Sequence, residues 1–142
     1  GLAVLERACY EGQLPVILWA WKKFPQITSL TRKQCKKTFG IACKEGNLQV
    51  AQWLYVNVPG LDISAHKDFA FRMACKRGYL NIVHYLLSSP ELAEHADIHI
   101  YKNIAFRQAQ ENGHNEIVKY LLHFILNIFN LFNSLSIIHG SI

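Results

Sequence analysis

"AFRMACKRGYLNIVHYLL" occupies residues 70–87 and "AFRQAQENGHNEIVKYLL" occupies residues 105–122. Eighteen residues that recur so closely within one chain point to a repeated structural unit. Two more versions of the central motif lie upstream. Ala8-Cys9-Tyr10-Glu11-Gly12, Ala42-Cys43-Lys44-Glu45-Gly46, Ala74-Cys75-Lys76-Arg77-Gly78 and Ala109-Gln110-Glu111-Asn112-Gly113 set their glycines 34, 32 and 35 residues apart. An apolar run follows each glycine, as in Leu48, Val50, Ala51, Trp53 and Leu54 or Leu80, Ile82, Val83, Tyr85, Leu86 and Leu87. Its intervals of three and four predict a helix with one buried face. The small residues before the glycine predict a first helix that a neighbour can approach closely. Glycine ends that helix because φ > 0 costs nothing without a Cβ. Pro25, Pro59 and Pro90 fall 13, 13 and 12 residues beyond their glycines, where a residue unable to continue a helix closes the second one.

A chain of 142 residues, 51% hydrophobic and 18% charged, is sized for one folded domain and is not disordered in bulk. Glu6, Arg7 and Glu11 interrupt the segment where a secretory signal would be apolar, so no signal is visible and an intracellular, cytoplasmic location is expected. Gly1 as the first residue is consistent with a processed or trimmed chain.

These units resemble the ankyrin repeat, about 33 residues long with a small-small-x-x-Gly turn and an apolar second helix. The resemblance covers roughly residues 3–122. It implies an all-α helical solenoid of about four helix-turn-helix repeats, near 1–30, 31–64, 65–98 and 99–122. A repeat domain over 1–122 would then be followed by an apolar helix or tail over 123–142. The family's Thr-Pro-Leu-His start is replaced by Lys37-Thr38-Phe39-Gly40, Phe69-Ala70-Phe71-Arg72 and Ile104-Ala105-Phe106-Arg107. Only the apolar third position survives. The segments between units exceed a hairpin tip and vary in length, so irregular loops with short helical turns, such as Glu91–Ala96, are expected in place of hairpins.

Stacked cysteines argue against disulfides. Cys9, Cys43 and Cys75 occupy equivalent positions in successive units, and packed helix axes lie about 8–10 Å apart, too far for the ~4.4–6.8 Å Cα separation of a disulfide. They are expected to form a ladder of small buried side chains, with Cys35 outside it. His95 and His99, four apart, could share a helical turn; without a third ligand they suggest a polar loop and no metal site. His84 is expected on the outer face. No phosphate loop, serine elbow or carboxylate pair stands out, so a non-enzymatic chain without cofactors is expected.

Charge is distributed unevenly. Between Glu11 and Glu45 there is no acidic residue, while Lys22, Lys23, Arg32, Lys33, Lys36, Lys37 and Lys44 all fall there. A basic surface of this kind attracts an acidic protein segment, anionic lipid or nucleic acid; nucleic acid ranks last because no recognition motif accompanies the charge. The family resemblance implies a protein partner on the concave side, formed by the first helices and the loops leading into them. Carried over by position, it points to Lys36, Lys37, Gly40, Lys44, Arg72, Lys76, Arg77, Arg107 and Glu111, with Tyr101 and Lys102 from the longest loop. Divergent arrays of this appearance are frequent in proteins that pathogens or large viruses place in host cells, which implies a host-directed adaptor.

The C-terminus differs from the rest. No Asp, Glu, Lys or Arg occurs from Tyr120 to Ile142, and His123, Asn127, Asn130 and Ser134 trace a narrow polar stripe on an apolar helix. Packing on a second copy or folding back over the last repeat is favoured; continuation into another domain and membrane association through 123–142 remain alternatives. The function expected is a protein-binding module. A targeting part of a larger enzyme and a membrane-associated scaffold are the competing classes.

Overall fold

Leu2–Tyr10 (α1) and Leu14–Lys23 (α2) form the first helix pair in the computed structural model, which describes residues 2–26, 32–63, 65–89 and 98–140. Three more pairs follow: Arg32–Lys44 (α3) with Leu48–Asn57 (α4), Ala65–Arg77 (α5) with Leu80–Leu87 (α6), and Ile98–Glu111 (α7) with Asn115–Gly140 (α8). All regular structure among the described residues is helical, and the fold is the expected helical repeat array.

Each first helix ends in the same cap. Gly12, Gly46, Gly78 and Gly113 have φ of 71°, 82°, 88° and 74°. The residue after each glycine donates its N–H to the carbonyl of the motif alanine: Gln13 to Ala8 at 2.8 Å, Asn47 to Ala42 at 2.8 Å, Tyr79 to Ala74 at 2.9 Å and His114 to Ala109 at 2.9 Å. This six-residue closure satisfies a carbonyl left over at the helix end, and a residue with positive φ is its requirement. The second helices α2 and α4 stop at Lys23 and Asn57, two residues before Pro25 and Pro59, as proline demands. Pro90 and the segment 91–96 lie outside the described residues. The described link from Val58 to Ile63 is irregular.

Side-chain size sets the shape of the stack. The first helices pack in order, α1 on α3, α3 on α5 and α5 on α7. Between them lie Ala8, Cys9, Ala42, Cys43, Ala74 and Cys75, all buried, and small residues permit short interaxial distances. Aromatic rings bridge the second helices instead: Trp21 meets Trp53 at 4.9 Å and Tyr55 meets Tyr85 at 6.2 Å, both edge to face. Small contacts thus lie on the first-helix side of the stack and bulky contacts on the second-helix side. Phe39 and Phe71 are fully buried at successive junctions, while Phe106, with no helix pair after it among the described residues, is only partly covered.

Cys9, Cys43 and Cys75 carry thiols without disulfides, as the register of the repeats predicts. Burial pushes the thiols of Cys43 and Cys75 up from 9.0 to about 12. Below pH 9 these groups are protonated in both folded and unfolded chains, and their contribution to stability is complete. Between pH 9 and about 12 the unfolded thiols ionise first, so stability falls as pH rises. A thiol reagent at mild pH is therefore expected to leave Cys43 and Cys75 unmodified until urea unfolds the chain. Rapid labelling of either in the native protein would contradict the buried ladder.

α8 departs from its counterparts. At about 1.5 Å per residue, its 26 residues extend roughly 39 Å without interruption. The segment after Leu122 continues the last second helix; it does not turn back across the repeat. Leu122, Ile125, Leu126 and Leu135 are exposed, as are His123, Asn127, Asn130 and Ser134. Among the described residues no helix is long and apolar enough to cross a membrane.

Candidate functional site

The outward face of the first helices is built from positions three and four apart. Counting back from each glycine, the second residue is Tyr10, Lys44, Lys76 or Glu111 and the sixth is Glu6, Gly40, Arg72 or Arg107. Because the units stack in register, these positions form two rows across the array, in which Gly40 alone is buried. Lys76, Arg107 and Glu111 are exposed, Lys44 and Arg72 half-buried, and Lys37 is exposed about two turns before Lys44 on α3. The two middle repeats thus contribute most of the cationic side chains, with Glu11 and Glu111 exposed at the two ends of the array.

Arg77 lies beside this face but is already engaged. Its Nη1 donates to the Lys44 carbonyl and to Glu45 Oε1, both at 3.3 Å, joining the second and third repeats. That contact pairs one charge of each sign, and Lys37, Lys44 and Lys76 are further cationic side chains of α3 and α5.

Several expected positions are placed differently. Gly40 is buried, and a Cβ there would stand 2.9 Å from the Phe69 ring. It is a site of close approach between α3 and α5 and presents no surface to a partner. Tyr101 and Lys102 belong to helix α7, not to a loop, because α7 begins at Ile98 and consumes the segment read as connection. Their side chains, with those of Lys36, Cys35 and His99, lie outside the described residues, as does His95. His84 is exposed on α6, 5.4 Å from the Tyr120 ring. Among the described residues no group of three or more His, Cys, Asp or Glu could hold a metal ion. A recess of about 190 Å³ between α4 and α6 is lined by Tyr55, Ile63 and Tyr85, among others, and falls below the ~300 Å³ at which small-molecule sites usually begin.

A set of residues missed by the sequence reading holds the units together. The residue after each glycine in one repeat rests on the glycine of the repeat before it. Asn47 covers Gly12 and donates its Nδ2 protons to the carbonyls of Cys9 and Tyr10, each at 3.0 Å. Tyr79 covers Gly46 with its ring, and His114 covers Gly78, with Nε2 2.9 Å from the Lys76 carbonyl. A Cβ on any of these three glycines would come within 2.5–2.8 Å of the covering side chain. Amide, phenol and imidazole fill one role, so only the position after the glycine, not a residue type, could have revealed it.

Residues 39–130, about two thirds of the chain, match the family of ankyrin repeats in three copies, whose members are protein–protein interaction modules and typically non-enzymatic. The match starts beyond α1 and α2, yet that first pair has the same glycine turn and is joined to the second through Asn47. No curated protein and no solved structure matches the chain.

Proposed function

Because the chain belongs to the ankyrin repeat family, we propose that it holds an acidic segment of a partner protein along its first-helix face and carries out no chemistry of its own. The supporting observation is the group formed by Lys37 and Lys44 on α3 with Lys76 on α5, three cationic side chains on the first helices of the two middle repeats. A preformed surface also limits the ordering cost of association. Electrostatic attraction would act mainly on encounter rate and choice of partner. The divergence of the repeats supports a setting as a host-directed adaptor in the cytoplasm, which imaging of the tagged protein in host cells would test.

The test is affinity capture from a eukaryotic lysate by the wild type and by a Lys37→Glu, Lys44→Glu, Lys76→Glu variant. Arg77 is left intact because it joins two repeats. Circular dichroism should show unchanged helicity, and the captured protein should bind the variant about tenfold more weakly or less, equivalent to a loss of about 1.4 kcal/mol. Equal capture by both proteins would exclude the basic face as the recognition surface.

A further inference from the structure

We propose that copies of this chain associate head to tail, the first repeat of one copy docking on the last repeat of another as a further unit of the same stack. The occupant follows from how the internal junctions are made. At each one, the incoming repeat supplies the residue after its glycine, an aromatic seven residues after the glycine, and a small or apolar residue eight before it. The receiving repeat supplies its glycine and, at the first two junctions, the side chain nine residues after it, Trp21 or Tyr55; at the third, Tyr120 lies against His84.

The incoming set is exposed at the N-terminal end. Val4 is 48% exposed, whereas its equivalents Thr38, Ala70 and Ala105 are buried. Trp19 is 52% exposed, whereas its equivalents Trp53 and Tyr85 pack on Trp21 and Tyr55 of the preceding repeat. Gln13, equivalent to Asn47, is exposed. The receiving set is exposed at the other end. Nothing lies within 4 Å of the Cβ position of Gly113, and Leu122, equivalent to Trp21 and Tyr55, is exposed.

Each open half matches the other in chemistry as well as position. The Gln13 amide has the same donors that Asn47 uses, and the carbonyls equivalent to those of Cys9 and Tyr10 belong to Gln110 and Glu111. Trp19 would cover Leu122, and Val4 would join the partly covered Phe106. Gln110 replaces the buried cysteine of the other repeats and is exposed. One polar residue at the centre of the face makes this joint weaker than the internal ones, and therefore reversible and dependent on concentration. A contact between two different surfaces is heterologous and does not close on itself at the dimer.

Sedimentation equilibrium from micromolar to millimolar protein tests this with two blocked variants. Gly113→Trp fills the receiving end, Val4→Lys charges the incoming end, and circular dichroism checks that each remains helical. The wild type should grow in mean mass beyond the dimer as concentration rises. Each variant alone should stay monomeric, while an equimolar mixture should form dimers, because each variant retains the end that the other lacks. A monomeric wild type at every concentration overturns the proposal. So does a closed dimer that both variants retain and that Leu126→Glu abolishes, since that result assigns association to the exposed face of α8.

Discussion

Phe71→Ala is expected to cost about 3–5 kcal/mol, a large part of the ~5–15 kcal/mol that stabilises a typical domain. Phe71 is 0% exposed and lies on α5, the helix packed against both α3 and α7. Truncation leaves a cavity that rigid neighbours on two sides fill poorly. In a stack whose stability sums over units and nearest-neighbour interfaces, a central loss also weakens the coupling between the two halves. Urea unfolding followed by circular dichroism should show a lower midpoint and a broader transition. Phe106→Ala, at the partly covered equivalent position, should cost clearly less. Equal effects at the two sites would mean that the third repeat is not the keystone its burial implies.

Gly78→Ala should cost about 2–3 kcal/mol and Gly113→Ala only about 1–2 kcal/mol. Both glycines have left-handed backbone, at φ 88° and 74°, and that conformation alone costs an alanine roughly 1–2 kcal/mol. At Gly78 the new Cβ would also stand 2.6 Å from His114 Cε1 and Nδ1. The ring must shift, which weakens its hydrogen bond to the Lys76 carbonyl, a bond worth about 0.5–1.5 kcal/mol. Gly113 has no such neighbour. The difference between the two free energies, from paired denaturant titrations, therefore isolates the covering contact from backbone strain. If the two substitutions cost the same, His114 contributes nothing to the junction.

How far the sequence predicted the structure depended on whether a residue's role follows from its own chemistry. Glycine with positive φ and proline beyond a helix end admit few alternatives, so the turns and the ends of α2 and α4 were legible. The buried thiols followed from register alone. The family resemblance implies a loop position for Tyr101 and Lys102, whereas α7 starts at Ile98; Asp97, a residue type favoured before a helix, is the sign of that start in the sequence. The family resemblance implies a surface position for Gly40, yet glycine within a helix often marks close approach by a neighbour, which Phe69 makes. The covering residues Asn47, Tyr79 and His114 share no chemistry, and became visible only when their contacts with the preceding glycines were seen. The continuity of α8 past Leu122 was readable in the absence of any glycine or proline from Asn115 to His139.

The joint between repeats also bears on how such a gene can change. Each seam needs a glycine on one side and any of several side chains on the other, and the three internal seams use an amide, a phenol and an imidazole. Adjacent units therefore need not be matched as pairs. Unequal recombination that duplicates or deletes one whole unit of about 33 residues would leave a usable seam at the new junction. Array length can then drift by whole units without a compensating substitution elsewhere, while an insertion of half a unit would leave one glycine uncovered and one apolar face in water.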